Sequence, residues 1–184
     1  MSWEDSSPKN LTGAMLVAHP RLLDPNFRRT ILFLSHHSSD DGAIGLILNR
    51  PMKKTFGEVA AQKISETFRN ISLFYGGPVA ADHLTLASLQ WRSDAVAFQS
   101  FMGNVEDVHI EPEWRPGLRA FVGYAGWSQG QLEGEIEQKA WLVLPPAREL
   151  IEMKDPENAW RQIMRGSGPL MKLLAEAPDD PEMN

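Results

Sequence analysis

The stretch Gly123-Tyr124-Ala125-Gly126-Trp127-Ser128-Gln129-Gly130-Gln131-Leu132-Glu133 decides how the chain is read. Residues 118–122 before it alternate and read as a strand. Residues 131–139 after it read as a short helix. Glycines crowd the join around one tryptophan, and a tight approach of two backbones needs residues without a Cβ. Ser128 followed by Gln131 fits a capping box, which predicts that the helix starts there. The expectation is a glycine-lined bend from sheet to helix, clamped by the Trp127 indole.

Moving outward, residues 30–36 and 43–49 are β-branched and apolar and flank Asp41-Gly42, a strong hairpin turn signal. They predict an antiparallel pair. Residues 11–18 predict a strand ended by His19-Pro20, and Asp24-Pro25-Asn26 carries turn chemistry. Arg50-Pro51 predicts the end of the hairpin, because proline cannot donate to a ladder. Thr55 with Glu58 predicts a capped helix over 56–64. Strands are expected at 70–75, 83–89, 95–102, 105–110 and 140–144. Asp155 as cap and Pro156 at the first helical position predict a helix to about 165. Residues 170–176 make a last helical piece. Helices follow clusters of strands without strict alternation. That pattern predicts an α+β class, with a twisted, bulged, mixed but largely antiparallel sheet, partly barrel-like, and several packed helices. One domain spanning 11–176 is expected, between a flexible N-terminal segment at 1–10 and a flexible acidic tail at 177–184.

Composition narrows the function classes. The chain has 184 residues, a formal net charge of -6 and no cysteine. Disulfides, thiolate nucleophiles and cysteine-held zinc are excluded. An acidic chain has no general attraction to phosphate backbones, so direct nucleic-acid binding is disfavoured. The first ten residues lack the basic and apolar regions of a signal peptide, and no apolar run reaches bilayer length. A cytoplasmic protein without a membrane segment is the expectation.

Chemical motifs are weak. His36 and His37 are adjacent on a strand end and point to opposite faces, so they do not share an ion. Asp107, His109, Glu111 and Glu113 alternate, but Pro112 interrupts them, and they read as a charged sheet edge with no metal. Gly126-Trp127-Ser128-Gln129-Gly130 matches the nucleophile-elbow pattern, yet no histidine follows Ser128 and a triad in its usual order is impossible. Gly76-Gly77-Pro78 and Gly166-Ser167-Gly168 lack the rest of a phosphate loop. Arg28-Arg29 and Lys53-Lys54 are too short for a nucleic-acid footprint. No cofactor motif is present.

Taken together, several pieces carry a family likeness. They are residues 13–18 with Pro20, Asp24-Pro25 with Phe27, His36 or His37, and Gly42-Ala43 with Gly45-Leu46. Asn49-Arg50-Pro51, Gly76-Gly77-Pro78-Val79, residues 123–127 and Gly130-Gln131-Leu132-Glu133 with Trp141 complete the set. The chain resembles the YqgE/AlgH family of bacterial proteins over about three quarters of its length. The departure is 92–116. The resemblance implies one compact α+β domain, no agreed catalytic residue, and in one branch a description as a regulator of alginate synthesis. The leading expectation is a non-enzymatic domain binding a small ligand or protein partner. The alternative is a hydrolase acting on a small anionic substrate. The candidate groove gathers His19, Asn49, Arg50, Gly126, Trp127, Ser128 and Gly130.

Overall fold

Two apolar tetrads determine which strands are buried. Met15-Leu16-Val17-Ala18 makes β1 (Met15–Ala18), and Ile31-Leu32-Phe33-Leu34 opens β2 (Ile31–Ser38). A strand apolar at every position must be covered on both faces. In the computed structural model, which describes residues 10–60, 65–101 and 109–177, that is what happens. Met15, Val17, Ile31 and Phe33 enter one core, and Leu16, Ala18, Leu32 and Leu34 enter another.

β1 and β2 pair antiparallel, with Met15 opposite Phe33. β2 turns into β3 (Gly42–Ile47), the expected hairpin, with a register shift between Leu34 and His36. The remaining strands are β4 (Pro51–Thr55), β5 (Ser72–Tyr75), β6 (Val79–Arg92), β7 (Ala95–Phe101), β8 (Leu118–Trp127) and β9 (Trp141–Leu144). The order is β4-β5-β8-β3-β2-β1-β9, and β6 joins β8 with β7 beyond it. Only β5 and β8 run parallel among the described pairs. The result is one α+β domain with a mixed, curled sheet.

β8 corrects the expected bend. It does not end at Gly123 but runs ten residues to Trp127. Ala120 faces Leu73 of β5 and Leu86 of β6, so those strands flank β8. Further on, Ala125, Gly126 and Trp127 pair with Gly45, Ile44 and Ala43 of β3. At the change of partner, Gly76-Gly77-Pro78 passes over the β8 backbone. A Cβ on Gly77 would lie 2.2 Å from the Tyr124 carbonyl carbon, and one on Gly123 (φ 65°) 2.3 Å from the Gly77 oxygen. These glycines permit a backbone crossing, not a strand-to-helix bend.

Other expectations also shift. Pro51 begins β4 instead of ending the pairing, because the first residue of an edge strand needs no ladder donor. The helix α1 (Phe56–Val59) keeps its Thr55–Glu58 capping box but is shorter than foreseen, and 61–64 lie outside the described residues. α2 (Glu66–Arg69), whose start is marked by the Ser65 cap, and α4 (Arg148–Ile151) are additional to the expected helices. The strand expected at 105–110 falls mostly outside the described residues. Ile110 is buried, and Pro112–Gly117 form a tight 3-10 turn that ends any strand there.

α3 (Gln131–Glu137) begins differently from the expected box. Gly130, at φ 72°, is the cap position, and the Gln131 side chain accepts from the Ser128 N–H at 3.1 Å. α5 (Pro156–Gly166) has the predicted Asp155 cap, with its carboxylate accepting from the Asn158 N–H. α6 is Pro169–Glu176. α5 and α6 cover the first core, where the Trp160 indole donates to the Ala18 carbonyl at 2.7 Å. α3 covers the second through Leu132. Phe56 and Phe68 close a third against β5, β6 and β8.

Candidate functional site

The loop between β1 and β2, residues 19–30, is tied down along its length. At its start the His19 N–H donates to the Ala140 carbonyl at 2.9 Å, and His19 Nδ1 accepts from the Arg21 N–H at 3.2 Å. Burial holds this imidazole below its ordinary value of 6.5, and the Arg21 and Lys139 cations push the same way.

At the far end, side chains from the connection between β3 and β4 hold the loop backbone. Asn49 Oδ1 accepts from the Ile31 N–H at 2.7 Å, and its Nδ2 donates to the Arg29 carbonyl at 2.9 Å. The Arg50 guanidinium donates to the carbonyls of Asn26 (2.8 Å), Pro25 (3.2 Å) and Arg28 (3.0 Å). Its five donors in a planar fork suit such a cluster of acceptors. It lies 5.9 Å from the centroid of Tyr75, whose hydroxyl reaches Asn26 Oδ1 at 3.4 Å. Burial pulls the Arg50 pKa down. Tyr75 raises it, the Arg28 charge lowers it, and Asp24 raises it.

Between these ties the loop places Phe27 against two indoles. Phe27 and Trp127 stack at 6.1 Å, and Trp141 meets both rings edge-on at 5.7 and 6.0 Å. The Nε1–H groups of Trp127 and Trp141 donate to one oxygen, Glu135 Oε2, at 2.9 and 2.8 Å. Gln131 Nε2 donates to the other carboxylate oxygen at 3.1 Å. A carboxylate accepting three neutral donors satisfies both indole N–H groups in a setting where leaving them unpaired would be costly.

The predicted groove residues therefore separate into four places. Asn49 and Arg50 line a cleft of about 330 Å³ with Arg28, Arg29, Pro51 and Glu157. Trp127 is buried beneath the loop that forms one wall of that cleft, and Gly126 belongs to the β3 pairing. His19 lies at the other end of the loop, beside the start of β9. Ser128 and Gly130 are exposed in the turn before α3, where Ser128 Oγ donates to Gln131 Oε1 at 3.2 Å. That bond makes the elbow match a helix entrance.

The sequence pattern sets Arg28-Arg29 aside as too short for a nucleic-acid footprint and does not single out Tyr75, Glu135 or Glu157. The signal that could have found the arginines is their place right after Asp24-Pro25-Asn26, a turn that points a short segment outward. His37 resolves differently again. Its Nδ1 accepts from the Leu11 N–H at 3.2 Å, so the proton sits on Nε2 and points at Glu133 Oε1, 2.9 Å away. Both ring nitrogens are thereby used in tying the Leu11 backbone to Glu133 of α3. Among the described residues, no group of three or more histidines and acids could hold a metal ion, and no helix is long and apolar enough to cross a membrane.

A curled mixed sheet with helices on both faces, and a basic cleft at the β1–β2 loop, defines the class: a one-domain α+β protein with a loop-built surface site. A family model described as AlgH-like matches residues 15–172, and the chain belongs to that family. A UPF0301 protein of Thermobifida fusca is 39% identical, over 95% of this chain and 96% of its own length. One from Mycolicibacterium smegmatis is 38% identical, over 94% and 90%. The solution structure of AlgH from Pseudomonas aeruginosa aligns with a TM-score of 0.59 at 28% identity, covering 96% of this chain and 99% of that one. The crystal structure of a Corynebacterium diphtheriae protein, DIP2367, shares the fold with a TM-score of 0.68 at 21% identity, covering 92% and 93%.

Proposed function

We propose that this chain is a cytoplasmic, non-enzymatic binding domain that takes the anionic group of a small ligand or protein partner in the cleft of Arg28, Arg29, Asn49 and Arg50. One observation carries the reading. Three guanidinium side chains line a single cleft of about 330 Å³ in a chain whose net charge is -6. Against that acidic background a local concentration of cation selects anions near the cleft more than elsewhere. Arg28 and Arg50 are close enough for one charge to disfavour the other, and a bound anion relieves that repulsion. Arg50 is held by three carbonyls, so little of its freedom remains to be lost on binding. Any regulatory role of the domain would then be exercised through ligand or partner occupancy of the cleft, not through DNA contact.

The test is thermal unfolding with increasing inorganic phosphate and, separately, succinate, for wild type and an Arg28→Gln, Arg29→Gln double variant. A ligand that binds only the folded state raises the midpoint with its concentration. The expected result is a saturable rise in wild type that the double variant lacks. Equal shifts in both proteins would refute the assignment.

A further inference from the structure

A second cavity, of about 180 Å³, lies between the first half of β8 and the start of α5. Leu48, Phe74, Leu118, Met153 and Pro156 give it apolar walls, Ser72 sits at its edge, and Arg119 is its one ionisable lining residue. Strand alternation puts Arg119 on the same face of β8 as Phe121, which is part of the first core. A cation thus occupies a position where the pattern calls for an apolar side chain.

The Arg119 guanidinium donates to the Ile151 carbonyl, and Phe74 lies 5.6 Å from it. Among the described residues it has no ion pair. Glu152 acts on it only through its field, which opposes the lowering of the Arg119 pKa by burial. A partly buried charge is normally matched by a counter-ion, because removing it from water is costly. A guanidinium has five donors, and one carbonyl does not use them up. The cavity offers room equivalent to about six waters.

We propose that this cavity is a binding site for a small monocarboxylate with a short apolar tail. The two carboxylate oxygens take the free edge of the Arg119 fork, and the tail packs against Phe74, Leu118 and Met153. Carboxylate geometry fits a guanidinium fork bidentately. A single negative charge matches the single cation. A phosphate dianion would bring a second charge that Arg119, the one ionisable lining residue, does not match.

This site does not depend on the arginine cleft, and its test separates the two. Wild-type protein is titrated with butanoate and with neutral butanamide, and chemical shifts are followed by two-dimensional NMR. The expected result is saturable butanoate shifts at Leu48, Leu118 and Met153, with butanamide binding at least about tenfold weaker. Ser72→Trp, which blocks the edge without touching the guanidinium, abolishes the butanoate response while thermal unfolding stays unchanged. Arg119→Met abolishes it as well if that variant folds. No saturable response, equal responses to butanoate and butanamide, survival of the response in Ser72→Trp, or shifts confined to Arg28 and Arg29 would each overturn the proposal.

Discussion

Phe27 stacks on Trp127 with ring centroids 6.1 Å apart and planes 22° from parallel. This contact joins the loop that carries the basic cleft to the strand around which the sheet is organised. It depends on the Glu135 carboxylate, which holds both the Trp127 and the Trp141 indoles. Glu135→Ala should destabilise the fold by about 2–4 kcal/mol, since it leaves two shielded indole N–H groups without an acceptor. Glu135→Gln should cost less, because an amide oxygen can still accept, although its NH₂ group opposes Gln131. Urea unfolding at neutral pH measures both. Equal losses would mean that packing, not the shared acceptor, fixes the indoles.

The crossing of Gly76-Gly77 over β8 makes a steric prediction. Gly123→Ala should destabilise by at least about 4 kcal/mol or prevent folding, because the new Cβ meets the Gly77 carbonyl and the backbone is left-handed. Gly130→Ala is the control. It also has a positive φ but open space around it, so its cost should be about 1–2 kcal/mol. Similar unfolding midpoints for the two variants would contradict the close approach.

Arg50 has a structural duty beside its place in the cleft. Arg50→Lys should behave nearly like Arg50→Ala, each losing about 2 kcal/mol, because an ammonium cannot reproduce the fork that reaches three carbonyls. Amide hydrogen exchange should rise at Phe27 and Arg28, whose N–H groups close the turn onto the Asp24 carbonyl. Exchange that stays at wild-type rates in Arg50→Lys would show that the loop does not need the fork.

His19 should titrate below 6.5, and Lys139→Gln should move its midpoint upward. The sign for stability follows. The unfolded imidazole binds its proton at higher pH than the folded one, so stability is fully present above 6.5 and is lost as the pH falls from there through the lower folded-state value. NMR titration of the ring protons checks the shift. A midpoint at or above 6.5 would remove burial and the neighbouring cations as its causes.

Local rules made some of this legible. The Asp41-Gly42 hairpin, the Thr55–Glu58 box and the Asp155-Pro156 helix start each rest on residues within a few positions of one another. The glycines of β8 were misread because what they accommodate is the segment 76–78, distant in sequence and adjacent only after folding. The same holds for the site. Asn49 and Arg50 stand out in the sequence, but the carbonyls they hold belong to 25–29; the company of Arg28 and Arg29 arises when that loop folds back, and that of Glu157 when α5 docks. Arg119 sat in an alternating strand like any surface arginine until the core side of β8 was known.

The basic cleft can be probed at its own nitrogens. Phosphate titration followed through the arginine Nε–Hε resonances should give saturable shifts at Arg28, Arg29 and Arg50, with other arginines such as Arg161 and Arg165 unmoved. Shifts that grow linearly without saturation, or that spread evenly over all the arginines, would contradict a built anion site there.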